Sequence, residues 1–448
     1  MSTHKPYLTD DGTTLYLPYD LASLNEVLAR LDEVQPEPPP GYTLHPGDDP
    51  AVALADLSAG DTLWLADGVH PYPIHLPKAI NVKAVQGASP AFSGWKRLNW
   101  ERYSTDAYRA IYRIPWERAA LGISHRVVTN SAFLAAQDGS ARLAAHNFAT
   151  QPELVRYNGE ALTRYPMSQV AAGTMRQGYD EKAGYMYISL PAGADLDLLE
   201  VAMYPQLFTA ADGVAGIEVS GITFTGAANT HKEAAFELHS DGNVIDVDVD
   251  FVNSLAFSVR GIGLNARMAS HRAGQMGHWI KAQKSRLTVE HIESNWRGSD
   301  AGWHASNKFE QTIECEIGVE AYDTNGVGCW FDVGNHRNNV FVYADGCAKN
   351  GLMVEHYAEG NTFTGTIKNT RPIGRWEGSD IQIQSNCKDN VFKDIDIQGN
   401  AVPYWLVYKT QEARGPSGPN EFRGIDAGRR RMRYEGPAHE KDVFEDIT

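Results

Sequence analysis

The segments GVGCWFDVGNHRNN (residues 326–339) and GLMVEH (residues 351–356) decide the fold, because each is a short apolar run that lifts one carboxylate at the same point of its alternation. The carboxylates are Asp332 and Glu355, 23 positions apart. Side chains on a strand alternate between two faces. In the first run Cys329, Phe331 and Val333 are therefore expected to face a core, with Trp330 and Asp332 facing away. In the second, Leu352, Val354 and His356 point inward or sit at the turn, and Met353 and Glu355 point outward.

Working outward, the same kind of run recurs. AFELHS starts at Ala235, AFSVRG at Ala256, HWIKA at His278, GWHASNKF at Gly302, GCWFDV at Gly328, GLMVEH at Gly351, DIQIQS at Asp380 and YWLVYK at Tyr404, with steps of 21 to 29 residues. Asparagine, any residue, then Phe or Ile recurs beside them, at Asn243, Asn339, Asn361, Asn390 and Asn420. A period of this length, made of several short strands with Asn at the turns, is the signature of a right-handed parallel β-helix, whose coils bury their apolar faces only by stacking.

The other segments read differently. Residues 1–45 are expected to form an arm and a capping helix, LASLNEVLARLDEV (21–34), closed by the stiff QPEPPPG; residues 46–99 form the first coils, fed by a short helix. Residues 100–210 hold hairpin-like sequences, VRYNGEALTRYP and YDEKAGYMYISLP, and read as an inserted or flanking antiparallel β subdomain. Residues 211–448 are the main β-helix, with GPSGP and the arginines near 430 as a closing loop and tail. The fold class is thus all-β.

The chain has 448 residues, 42% hydrophobic, and a formal charge of −16. That charge repels a phosphate backbone, so nucleic acid is not an expected partner. No apolar run reaches spanning length, so no membrane partner is expected either. The start MSTHKPYLTDDGTT lacks the charged-then-apolar shape of a signal peptide. The compartment stays open: extracellular or periplasmic if a leader has been removed, otherwise cytoplasmic or on a phage particle. Cys315, Cys329, Cys347 and Cys387 lack metal-site spacing and read as buried thiols. Asp246, Asp248 and Asp250 suggest calcium, but residues two apart on a strand are roughly 6.8 Å apart, too far for all three to share one ion easily. They read as a solvated face.

On neighbouring coils Asp332 and Glu355 become vertical neighbours, separated by roughly the 4.8 Å strand spacing. Retaining glycosidases need two carboxyl groups about 5 to 5.5 Å apart, and inverting ones roughly 6.5 to 9.5 Å. Lys308, one coil earlier, is expected to hold Asp332 ionised, with Lys281 and Arg260 further along the same column; anionic Asp332 in turn raises the pKa of Glu355. Trp296, Arg297, Trp303, His304 and Trp330 offer indole faces and polar groups for a sugar. A ladder of solvated surface charges is the other reading of the pair.

The order NWRG (295–298), GWHA (302–305), Lys308, GCWFD (328–332), GLMVEH (351–356) resembles the β-helix glycosidases of glycoside hydrolase family 120, with a related likeness to family 141. The resemblance implies a parallel β-helix with an additional β subdomain and retaining β-xylosidase activity. It implies Asp332 as nucleophile, Glu355 as acid/base and His356 near the glutamate. The expected function is a retaining glycoside hydrolase on a plant or microbial glycan, in the pentoside direction, with an oligosaccharide or polysaccharide as substrate. No cofactor or metal is expected, and an oligomer is left open. Two rivals remain: a polysaccharide lyase with Lys281, Lys308 or Arg260 as base, and a tailspike or other non-catalytic glycan-binding β-helix.

Overall fold

The computed structural model describes residues 4–8, 14–18, 42–105, 109–116, 153–164, 175–180, 182–229, 233–274, 276–292, 305–324, 326–372, 377–399, 401–409, 417–428, 430–435 and 442–448. Two long sheets of parallel strands run its length, one of 11 strands and one of 15. Successive coils alternate between them, so each strand pairs with its counterpart one coil away: Met276–Gln283, Ala305–Phe309, Val327–Phe331, Asn350–Glu355, Ser379–Gln384 and Tyr404–Lys409 are consecutive neighbours in the smaller sheet. This is the expected parallel β-helix, and the quoted repeat runs are its smaller sheet.

The interior is a stack of aromatic rings. Phe309 and Phe331 lie 4.7 Å apart between centroids, Phe363 and Phe392 5.0 Å, and Phe392, Phe422 and Phe444 4.9 Å at each step. Those distances match the strand spacing, so where consecutive coils carry a ring in register the rings stack at one repeat. One turn is closed by amides. Asn338, Asn361 and Asn390 each donate from Nδ2 to Oδ1 of the next asparagine at 2.8 to 3.0 Å, ending at Asn420. Each Oδ1 also accepts the preceding asparagine's backbone N–H at 3.1 Å. The ladder member in its first coil is Asn338; Asn339 is exposed, as is Asn243, because the coil turns one residue earlier than the Asn-Val-Phe pattern suggests.

The two sheets differ in what covers them. Strands of the larger sheet alternate, as in Arg286–Ile292 and Asn339–Asp345, with one face in the core and one in solvent. Val327–Phe331, Asn350–Glu355 and Ser379–Gln384 are buried at every position. A parallel strand buried on both faces needs cover on its outer side. Over these three strands the smaller sheet therefore carries an enclosed outer face, where the larger one is washed by water.

Residues 95–202 contribute two antiparallel sheets. One joins Glu101–Thr105, Arg109–Pro115, Tyr185–Pro191, Arg176–Asp180 and Thr163–Arg164, the last pairing being parallel; the other joins Glu160–Ala161, Val155–Tyr157, Leu199–Ala202 and Trp95–Lys96. They share an apolar core around Tyr112, Trp116, Met186, Ile188 and Val201. Asn158 and Gly159, both at positive φ, make the tight turn of one hairpin.

One expectation changes, that of a C-terminal tail, and others can be placed. The helix over 21–34 lies outside the described residues; the described helix is Pro50–Asp56, capped by Asp49, with Ala53 and Leu54 in the core of the first coils. The arginines near 430 are no tail: Arg431–Glu435 is the eleventh strand of the smaller sheet, hidden because its outward-facing residues are exposed and charged. Asp246 is exposed and Asp250 half-buried, in keeping with a solvated face, and each pairs with an arginine, Arg267 and Arg272. All four cysteines are free and buried.

Asn390→Ala removes two Nδ2 donations and strands the backbone N–H of Asn361. A loss of about 2–4 kcal/mol is expected, from unsatisfied buried groups at roughly 1–3 kcal/mol each. Urea unfolding checks it, and a loss below about 1 kcal/mol would remove the ladder as a stabilising feature.

Candidate active site

The outer face of the smaller sheet is built in columns. Trp279, Lys308, Trp330, Met353, Gln382, Val407 and Arg433 are in register along one column. The next column begins with Arg260 and Lys281 and later holds Glu355, Gln384 and Lys409. Asp332 joins it because its backbone N–H donates to Phe309 O at 2.9 Å, beside Glu310. Lys308 is thus aligned with Trp330 rather than with Asp332, and the residue one coil before Asp332 is Glu310. Lys308 reaches Asp332 across the diagonal.

Local backbone explains why the carboxylates sit where they do. The strand Val327–Phe331 ends before Asp332, and Gly334 at φ +70° turns the chain away. Val333 consequently leaves the core and is 40% exposed, against the alternation. Asn350–Glu355 ends at Glu355, and His356 takes a left-handed conformation, φ 49°. A non-glycine residue there is uncommon. It brings the ring back: His356 Nδ1 lies 2.8 Å from Asp332 Oδ1 and 4.0 Å from Glu355 Oε2.

A chain of charges fixes Asp332. Lys281 Nζ lies 2.9 Å from Glu310 Oε2, Glu310 Oε1 pairs with Lys308, and Lys308 Nζ lies 2.9 Å from Asp332 Oδ2. The Lys308 ammonium also sits 4.5 Å from the centre of the Trp330 ring, a favourable cation–π position. Trp330 Nε1 donates to Glu355 Oε2 at 2.9 Å. Each carboxylate therefore has its own escort: cation and imidazole for Asp332, a neutral indole N–H for Glu355.

Asp332 is 7% exposed and Glu355 3%, so a solvated charge ladder does not describe them. Burial pushes the Asp332 carboxyl up, but the His356 hydrogen bond and the Lys308 ammonium outweigh it and hold the group below its ordinary value. Burial also pushes Glu355 up, Asp332 adds to it, and the opposing pull of His356 and Lys349 is too small to cancel the rise. On Lys308, burial favours the neutral amine; Asp332 and Glu310 overcome it and hold the ammonium above its ordinary value. Two neighbouring carboxyls are thereby driven apart in acidity.

Of the residues expected at the site, the structure brings together Asp332, Glu355, Lys308, Trp330 and His356. Trp296, Arg297, Trp303 and His304 lie outside the described residues. Trp330 is 2% exposed, packed against Val327 and Met353, and its edge serves Glu355. Glu310, Trp279 and Lys349 are additional. Glu310 follows Lys308 by two and shares its outward phase, a signal present in SNKFE. Lys349 precedes its strand and has no periodic signal.

One ligand atom from each of Asp332, Glu355 and His356 falls within 4.8 Å of the others, a geometry that could gather a cation. The Lys308 ammonium already occupies Asp332 Oδ2, so the positive charge the cluster calls for is supplied by the chain itself.

No family model matches the chain, and no curated protein matches it. Among solved structures, it is similar to the complex of XylC with xylose, at 11% identity and a TM-score of 0.59 over 88% of this chain and 82% of that one. It is also similar to a glycoside hydrolase at 9% identity and a TM-score of 0.46, over 87% and 89% of the two chains. A polygalacturonase from Erwinia carotovora ssp. carotovora follows at 10% identity and a TM-score of 0.30, over 92% and 98%. The likeness to XylC shows a shared fold.

The raised pKa of Glu355 has a measurable cost. A carboxyl whose folded pKa exceeds its unfolded one contributes stability below the unfolded pKa and loses it as pH rises through the folded one. Glu355→Gln keeps an acceptor for Trp330 and cannot ionise. Its Tm is expected to match wild type below about pH 4, where a free glutamate is protonated, and to exceed it at neutral pH. A variant less stable than wild type at neutral pH would contradict the assigned shift.

Proposed function

We propose that the chain is a glycoside hydrolase that cleaves its substrate with retention of anomeric configuration. The observation that carries this reading is the pair of buried carboxyls on consecutive coils, with oxygens within 4.8 Å and acidities displaced in opposite directions. That separation is close to the spacing of retaining pairs, about 5 to 5.5 Å, and well below the roughly 6.5 Å at which an inverting pair can admit water.

Asp332, ionised, attacks the anomeric carbon as the glycosidic C–O bond breaks, and the proton of Glu355 passes to the leaving oxygen. Glu355, now a carboxylate, takes a proton from water; the water oxygen attacks the same carbon and frees Asp332. Lys308 and His356 keep Asp332 anionic until attack. Trp330 holds Glu355 Oε2, leaving the other oxygen to carry the proton. The residues assigned to the sugar from sequence, Trp296, Arg297, Trp303 and His304, belong to the same reading and lie outside the described residues.

The resemblance of the Asp332 and Glu355 strands to family 120 supports the assignment of roles. The fold shared with XylC, whose structure holds xylose, supports a pentoside such as a xyloside. Against the lyase reading, Lys308 is held as an ammonium by Asp332 and Glu310, and a protonated amine cannot accept a proton. Lys281 is likewise tied to Glu310.

Aryl glycosides and polysaccharides, followed by reducing ends and by ultraviolet absorbance, test the reading. Reducing ends without absorbance are expected. Glu355→Gln should lower kcat by about 10²–10⁴, the usual worth of a positioned acid/base, and Asp332→Asn should abolish turnover. The wild-type rate should rise as Asp332 deprotonates, below the ordinary aspartate range, and fall as Glu355 deprotonates, above the ordinary glutamate range. The falling limb should vanish in Glu355→Gln. Absorbance from an unsaturated product would make the protein a lyase, and no turnover on any glycan would favour a binding protein.

A further inference from the structure

The acid of a retaining pair protonates the leaving oxygen. Glu355 lies one coil after Asp332, so the leaving group departs over the coils that follow and the sugar held by Asp332 continues over the coils that precede. Those coils repeat the two columns of the catalytic face. Glu237, Ser258, Trp279, Lys308 and Trp330 are in register along the first, and His239, Arg260 and Lys281 along the second. Ion pairs join Lys281 to Glu310, Glu310 to Lys308 and Lys308 to Asp332. Side-chain exposure grows in the same direction, from 3% at Glu355 and 9% at Asp332 to 12% at Lys308, 26% at Lys281 and 30% at His239. The covered face thus opens towards the earlier coils.

The open part mixes donors and acceptors. His239 Nε2 lies 2.9 Å from Ser258 Oγ and Nδ1 3.5 Å from Glu237 Oε1, and Gln206 Nε2 donates to Glu237 Oε2 at 3.4 Å. Burial, with Arg260 beside it, pushes the His239 imidazole down to about 4, so at neutral pH the ring is uncharged and offers one donor and one acceptor. Arg260 is exposed, lies 5.6 Å from the centre of the Trp279 ring, and makes no ion pair with a described residue. Half-buried Trp279 adds an apolar surface between the Ser258 and Lys308 coils. A sugar hydroxyl both donates and accepts, so such a strip suits a glycan better than an anion or a hydrocarbon. A sugar unit in an extended glycan advances about as far as one coil step of about 4.8 Å. The Ser258 coil stands three steps before that of Asp332.

Building on the hydrolase reading, we infer that this strip is a groove for the retained part of a glycan chain, with Trp279 and Arg260 along its middle and His239 and Glu237 at its far end. The substrate is then a chain of about four or more units on that side of the bond cleaved, rather than a single sugar on a small leaving group.

Calorimetry on the full chain carrying Glu355→Gln, which slows turnover, tests it. The probes are β-1,4-linked oligomers of xylose, of glucose and of mannose, from one to six units. In at least one series the affinity should rise tenfold or more between the dimer and the pentamer. His239→Ala and Arg260→Gln, each added to Glu355→Gln, should cut that rise at least threefold, and Arg260→Gln decides alone if His239→Ala does not fold. Affinity flat with length in every series, or a rise indifferent to Arg260→Gln, would overturn the inference. A rise that the variants cut, with no hydrolysis of any glycan by the wild type, sinks the hydrolase reading alone. Hydrolysis of single-sugar aryl glycosides with kcat/KM no higher on longer chains sinks this inference alone.

Discussion

Everything in the structure depends on the hydrogen-bonded spacing between parallel strands. A coil stack repeats at about 4.8 Å, and each consequence follows from that one length. Phenylalanines repeated once per coil stack at 4.7 to 5.0 Å, and amides of Asn338, Asn361, Asn390 and Asn420 reach one another without adjustment. Two acidic residues placed at the ends of consecutive strands inherit the same separation. The distance that two-carboxylate chemistry requires is therefore a property of the backbone, and no loop has to create it.

Holding two buried carboxyls that close is unfavourable unless they differ. The structure makes them differ by what stands beside each: Lys308 and His356 on Asp332, an indole N–H on Glu355. The lysine is in turn steadied by Glu310, itself tied to Lys281. Breaking such a buried pair by removing one partner typically costs about 3–5 kcal/mol, because the other charge is left uncompensated. The same arrangement that would poise a nucleophile and an acid also fixes the coils to one another.

Much of this was legible in the sequence, and the failures are instructive. Alternation marked the runs that became the smaller sheet, since burial in a coil interior forces period two. Register was less legible, because coil length varies with the loops. Lys308 was aligned with Asp332 over 24 residues, whereas its true partner is Trp330, 22 residues on, and Glu310 takes the vacated place. The NN pair at 338–339 hid which asparagine turns inward. Arg431–Glu435 was misread because an exposed strand with arginine at its outward positions loses the apolar contrast. The depth of Asp332 and Glu355 had no local signal at all: it depends on what covers the sheet, and alternation alone cannot distinguish a covered outer face from a wet one.

The central claim is that Asp332 attacks carbon and Glu355 moves the proton, and the stereochemistry of the first product tests it most directly. Proton NMR of the anomeric region, taken within the first minutes of hydrolysis before mutarotation, reports the configuration of the newly released sugar. The account predicts that the first anomer formed has the configuration of the substrate. A first product of opposite configuration would mean that water attacks directly, and that Asp332 is not the nucleophile.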